Sequence, residues 1–277
     1  MESSVEKLNR LIALKESLIC LGLDPEIKKM PLFYQKSPEP IFEFCNDILS
    51  SLHPFISAIK PNFAFFEAEG IAGLQQLKKI MNLWGDSLFS IADIKRADIG
   101  NTSRLYAEAY FNHWNFDAIT VPPYMGEDSI LPFAQFEKKL TFVLCLTSNL
   151  GSKDFEEQHL SSGKQLYLEV LDKVKKWNHN GNLGLVVGAT KPDQLNEIRR
   201  LEQMAPILIP GVGAQGGDLE EAITLGLGEK SAPALINIGR AILYPEGNYL
   251  SREAYLNAVI EKAREYHSTM ARFINSK

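Results

Sequence analysis

Ser90-Ile-Ala-Asp93-Ile-Lys95-Arg-Ala-Asp98-Ile-Gly-Asn-Thr102 joins an apolar run to a charged turn. Residues 88–95 read as a strand, the chain turns at Asp98-Ile99-Gly100, and a helix is expected to begin near Thr102. Side chains two apart in a strand share a face, so Asp93 and Lys95 are expected to point the same way. Turning both into a barrel interior strips them of hydration at considerable cost. A lone Asp-x-Lys at a strand end reads as a structural ion pair. Here a third charge, Asp98, follows within one turn, at the strand-to-helix junction where α/β proteins place their chemistry.

Apolar runs of the same kind recur along the chain. Residues 18–24 end in Asp24 before Pro25, and residues 55–62 end in Lys60-Pro61-Asn62. Residues 116–121 stop at Pro122-Pro123, and residues 140–148 end in Thr147-Ser148. Residues 183–190, 206–213 and 234–240 complete the set. Helical patterns lie between them: Leu166, Val170, Val174 and Trp177 form one stripe, and residues 194–204 and 253–273 suggest others. Val5, Leu8 and Ile12 mark an opening amphipathic helix over residues 5–17.

Near-continuous apolar strands alternating with helices imply a parallel sheet buried on both faces. Eight of them predict the α/β class and a closed (β/α)8 TIM barrel with an extra N-terminal helix. A doubly wound open sheet is the structural alternative, but no G-x-G-x-x-G follows the first strand. With no low-complexity linker or composition break, residues 1–277 read as a single TIM-barrel domain. Phe63, Phe65 and Phe66 read as packing between a strand and its helix, not as a stacking platform.

Composition narrows the function. At 277 residues and 45% apolar content the chain can bury a large core, and a net charge of −5 argues against a nucleic-acid partner. The N-terminus has no apolar signal core and no segment is long enough to span a bilayer, so no membrane partner is expected. Cys20, Cys45 and Cys145 form no C-x-x-C; Cys20 and Cys145 sit in apolar strand-like runs, where reduced, buried thiols are expected, and the chain reads as cytoplasmic.

The polar residues gather where barrels react. Asp24, Lys60, Asp93, Lys95 and Ser148 close their strands, Gln215 follows the seventh and Arg240 the eighth. Pro210-Gly-Val-Gly-Ala-Gln215-Gly-Gly lets backbone approach a ligand, and Gly239-Arg240 puts a permanent forked cation beside it, which suits phosphate. A flexible turn beside a surface arginine accounts for the same residues. No His or Cys cluster has metal-ligand spacing.

Asp93-x-Lys95-x-x-Asp98-Ile-x-Asn-Thr102 resembles the motif of the orotidine 5′-monophosphate decarboxylase family. Pro210-Gly-Val-Gly-Ala-Gln215-Gly-Gly and Ile238-Gly239-Arg240 resemble its phosphate loop and phosphate arginine. Asp24, Lys60-Pro-Asn and Thr147-Ser148-Asn149 extend the likeness over residues 18–242, and the last of these with Val-Gly-Ala-Thr190 looks closest to the longer, bacterial second type.

The resemblance implies a barrel decarboxylase of pyrimidine biosynthesis that takes a small nucleotide, uses no cofactor and works as a homodimer. It implies that Asp24 and Lys60 hold the ribose hydroxyls, Lys60 also joining the charged network, and that Asp93 sits beside the substrate carboxylate. Lys95 would be the proton donor, while Asp98 and Thr102 would reach across the dimer interface. Ser148 would read the pyrimidine edge, and Gln215 and Arg240, with Gly239, would serve the phosphate. Related hexulose-phosphate enzymes use Mg²⁺ and an acid on strand two, where this chain has Lys60. A non-catalytic nucleotide sensor would have little reason to keep a buried proton donor. Fusion to a phosphoribosyltransferase is not expected.

Overall fold

A computed structural model of the chain describes residues 2–213, 216–227 and 232–274. Its strands are β1 (Ile19–Leu23), β2 (Ala58–Pro61), β3 (Phe89–Ala92), β4 (Ala118–Val121), β5 (Leu140–Leu146), β6 (Leu183–Val187), β7 (Ile207–Pro210) and β8 (Ala234–Ile238). Each pairs in parallel with the next, and β8 returns to β1 through Ile19↔Ile236 and Cys20↔Asn237, closing the barrel. The principal crossover helices, in strand order, are Pro40–Leu52, Gly70–Trp84, Gly100–Glu108, Glu127–Ala134, Leu166–Trp177, Pro192–Leu201, Leu219–Leu227 and Arg252–Ile274. Pro40 and Pro192 open their helices, where a fixed φ and a missing N–H cost nothing.

Alternation along the strands sorts the apolar residues into two layers. Cys20, Ala58, Phe89, Ile91, Ala118, Leu140, Phe142, Val186, Leu208 and Leu235 fill the barrel interior. Their neighbours, such as Leu21, Ile59, Ile119, Val143, Leu185 and Ile209, face the helices. Both faces of every strand are thus covered, which is why the runs read as continuously apolar. In β6, Gly184 lies in the interior phase with Val186; a Cβ there would stand 2.7 Å from the Pro206 carbonyl and 2.9 Å from the Phe142 ring. A missing side chain on β6 makes room for a large one on β5.

The N-terminal helix Ser4–Lys15 closes the amino end of the barrel. A capping box starts it: Glu6 N–H donates to Ser3 Oγ (3.3 Å) and Ser3 N–H to Glu6 Oε2 (2.7 Å). Leu8 and Leu11 join the interior cluster, with Val5 and Ile12 packed at its rim. Lys7 Nζ reaches Asp117 Oδ2 at 2.7 Å, and Asp117 Oδ2 also accepts from the Ser90 amide at 2.9 Å, tying the helix to the base of β3 and β4.

Several boundaries differ from the sequence expectation. β3 ends at Ala92, not at 95, because Lys95 takes a left-handed φ of 45° that no strand accommodates. The next helix begins at Gly100, ahead of Thr102. In Leu166–Trp177 the buried stripe is Tyr167, Leu171, Val174 and Trp177, one residue out of phase with Leu166 and Val170, since Tyr167 supplies the apolar body. Phe63 and Phe66 are buried, and the Phe63 ring packs edge-on against Tyr110, Trp114 and Phe116 at 5.1, 5.4 and 5.8 Å.

Gly184→Ala is expected to destabilise the barrel by about 1–3 kcal/mol through overpacking. Urea denaturation measures this; an unchanged midpoint would mean that the interior has slack beside Phe142.

Candidate active site

The interior phase of the strands continues upward into charge. Lys60 follows Ala58 by two, Asp93 follows Ile91, Thr120 follows Ala118 and Asn237 follows Leu235. The alternation that packs the core thereby turns these polar residues inward at the carboxyl end of the barrel. Asp93 stays aligned with its neighbour strand by donating its N–H to the Pro61 carbonyl at 3.1 Å.

Lys60 Nζ bonds Asp93 Oδ2 and Lys95 Nζ bonds Asp93 Oδ1. Thr120 Oγ1 donates to Asp93 Oδ1 at 3.0 Å and accepts from the amides of Ile94 (3.2 Å) and Lys95 (3.3 Å). That hydroxyl holds the left-handed turn at Lys95, so the side chain meets Asp93 from a loop. Strand alternation, the expected reason for the pairing, is not what brings them together. The side chains of Lys60 and Asp93 are sealed at 7% and 8% exposure, whereas that of Lys95 is 51% exposed.

Burial works against both sealed charges, and the opposite charges win. Desolvation would raise the Asp93 carboxyl, but Lys60 and Lys95 hold it well below the usual carboxylate range. Desolvation would lower the Lys60 amine, but Asp93 and Asp24 carry it above its ordinary value. Asp93 therefore contributes stability above its unfolded value of about 3.9 that is lost as pH falls through its depressed folded value. Lys60 contributes stability present below about 10.4 that is lost as pH rises through its raised folded value. Cys20, beneath Lys60, is pushed up to about 12 by burial and stays a thiol.

Asp24 lies at the end of β1, where its buried Oδ1 has no hydrogen-bond partner among the described residues. Burial raises its carboxyl, with Lys60 opposing. Asn237 Oδ1 is likewise buried and unpartnered. Glycines let the two strand ends approach: a Cβ on Gly22 would sit 3.2 Å from Asn237 Oδ1, and one on Gly239 would sit 3.2 Å from the Gly22 carbonyl and 3.4 Å from Asp24 Oδ2.

Ser148 follows β5 and is pressed against β6, where a Cβ on Gly188 would fall 2.7 Å from its Cα. Thr190 Oγ1 donates to its carbonyl at 3.0 Å, and Glu156 accepts from the Thr147 amide at 2.6 Å, pinning the loop base. After β7, Gly211, Gly213 and Gly216 take φ values of 102°, 76° and 86°, which favour glycine. Gly213 and Arg240 line one cleft; Arg240 is exposed and in no ion pair among the described residues. Gln215 lies outside the described residues.

Asp98 and Thr102 do not join the charged cluster of their own chain. The Ile99 amide donates to Asp98 Oδ1 at 2.8 Å, Ser103 Oγ donates to the Asp98 carbonyl, and Thr102 is exposed. Exposed Ile99 and Leu105 share this surface. Thr120, Asn237 and Glu156 went unmarked in the sequence. The first two could have been found by extending the period-two phase of β4 and β8; Glu156 sits in a loop without such a signal.

Residues 17–248 match the family described as orotidine 5′-phosphate decarboxylase / HUMPS. An orotidine 5′-phosphate decarboxylase of Flavobacterium johnsoniae is 42% identical over 278 residues, covering 99% of each chain. The structure of Leishmania donovani OMP decarboxylase aligns with a TM-score of 0.80 at 34% identity, covering 96% of this chain and 99% of that one. The Leishmania donovani UMP synthase structure aligns with a TM-score of 0.82 at 35% identity; the match covers 96% of this chain and spans 57% of that one.

Lys60→Met leaves a buried carboxylate oxygen unpaired and is expected to cost about 3–5 kcal/mol, whereas Lys60→Met combined with Asp93→Leu, which removes both charges, costs less. Urea denaturation of both variants checks this, and equal losses would assign the cost to packing alone.

Proposed function

The chain belongs to the orotidine 5′-phosphate decarboxylase / HUMPS family, and from that membership we propose that it converts orotidine 5′-monophosphate to UMP and CO2 in pyrimidine biosynthesis, without a metal or cofactor. The observation that carries the reading is the unequal exposure of the two ammonium groups on Asp93. Lys60 is sealed, while Lys95 is half open at the barrel mouth. Lys95 alone of the pair can present a proton to a ligand.

Decarboxylation breaks the bond between C6 and its carboxylate, and CO2 leaves with the electron pair remaining on C6. The Lys95 ammonium stabilises that charge as it develops and then donates a proton to C6; water returns a proton to the amine. Lys60 and Lys95 together keep Asp93 ionised despite its burial. The Asp24 carboxylate accepts from ribose hydroxyls, with Lys60 alongside. Arg240, Gln215 and the backbone near Gly239 take the phosphate, and Ser148 reads the pyrimidine edge. In a homodimer, Asp98 and Thr102 of one subunit complete the other's site, which accounts for their place on an exposed surface with Ile99 and Leu105. Binding energy from the phosphate serves catalysis by organising these charges around C6. Residues 1–277 act as one catalytic barrel in this scheme.

Orotidine 5′-monophosphate mixed with the protein in EDTA should lose its orotate absorbance and release equimolar CO2. Absent or EDTA-sensitive turnover would sink the proposal. Lys95→Ala should lower kcat by at least about three orders of magnitude while still binding UMP.

Lys95→Ala mixed with Asp98→Ala should regain up to about a quarter of wild-type activity, because half the dimers are mixed and each carries one intact site. Absence of rescue, with subunit exchange verified, would remove the cross-interface role of Asp98.

A further inference from the structure

The two ends of the proposed nucleotide site are joined by a residue outside it. Tyr244 lies one helical turn after Arg240 and donates its N–H to the Arg240 carbonyl at 2.9 Å. Its ring stacks on Phe44, with centroids 5.6 Å apart and planes at 19°. Its hydroxyl donates to the Asp24 carbonyl at 3.1 Å and accepts from the Glu26 amide at 2.7 Å, gripping the backbone on both sides of Pro25. The Asp24 carboxylate has an oxygen without any partner among the described residues, and the grip ties the main chain beneath it to the segment that carries Arg240.

We infer that Tyr244 is a positioning residue that sets the distance between the hydroxyl-binding Asp24 and the phosphate-binding Arg240; the inference rests on the function proposed above. The hydroxyl is already engaged as donor and as acceptor, so it acts through Asp24 and does not touch substrate. A ligand that spans two subsites gains from their correct spacing, and a ligand that fills one of them gains nothing. Loss of the hydroxyl should therefore penalise the whole nucleotide and spare its parts.

The test is calorimetric binding of UMP, uridine and inorganic phosphate to the wild type and Tyr244→Phe, which keeps the ring on Phe44. UMP should weaken on the order of tenfold, with uridine and phosphate each changed by less than about twofold. A melting temperature near that of the wild type verifies the fold, and Tyr244→Leu, which also loses the stack, should show the same nucleotide-selective loss. Unchanged UMP affinity, or uridine or phosphate weakened as much as UMP, overturns the inference. Wild-type turnover is scored separately: its absence counts against the proposed reaction, while the three affinities still decide the role of Tyr244.

Discussion

A carboxylate shut inside a barrel between two ammonium groups constrains everything around it. Asp93 can remain charged at 8% exposure because Lys60 and Lys95 each take one of its oxygens and Thr120 adds a hydroxyl. Those partners come from β2, from the turn beyond β3 and from β4. Three segments must therefore hold register to within a fraction of an ångström. A slip of one residue in β2 would turn Lys60 outward and Ile59 inward, exchanging a paired charge for an unpaired one. The apolar layers below supply that rigidity: Phe142 against Gly184 fills the interior, and Leu8 and Leu11 close its base.

The set of partners that anchors the N-terminal helix and the charged cluster on Asp93 occupy opposite ends of the same strands. At the amino end, Lys7, Ser90 and Asp117 form a closed set of partners that anchors the N-terminal helix. Among the described residues, Asp24 and Asn237 at the carboxyl end keep buried acceptors without donors, Arg240 stands in no ion pair and Lys95 opens to solvent; Thr141 Oγ1 at the start of β5 and Arg199 Nη2 are buried and unpartnered as well. Buried acceptors left unpaired cost stability in the free protein.

Much of this was legible in the chain. Eight apolar runs alternating with helical stripes determined a closed parallel barrel, because strands buried on both faces need apolar residues at every position. The residue types at the strand ends were legible too, since Asp24, Lys60, Asp93, Lys95 and Arg240 interrupt apolar runs at one end only. Tertiary structure decided the rest. The meeting of Lys95 with Asp93 depends on a left-handed turn held by Thr120, 25 residues away in the chain. The sealing of Lys60 but not Lys95, the unpaired oxygens of Asp24 and Asn237, and the Tyr244 bridge to Asp24 depend on contacts between distant segments. Local sequence dictates periodicity and residue chemistry; burial and hydrogen-bond satisfaction belong to neighbours that only barrel closure brings together.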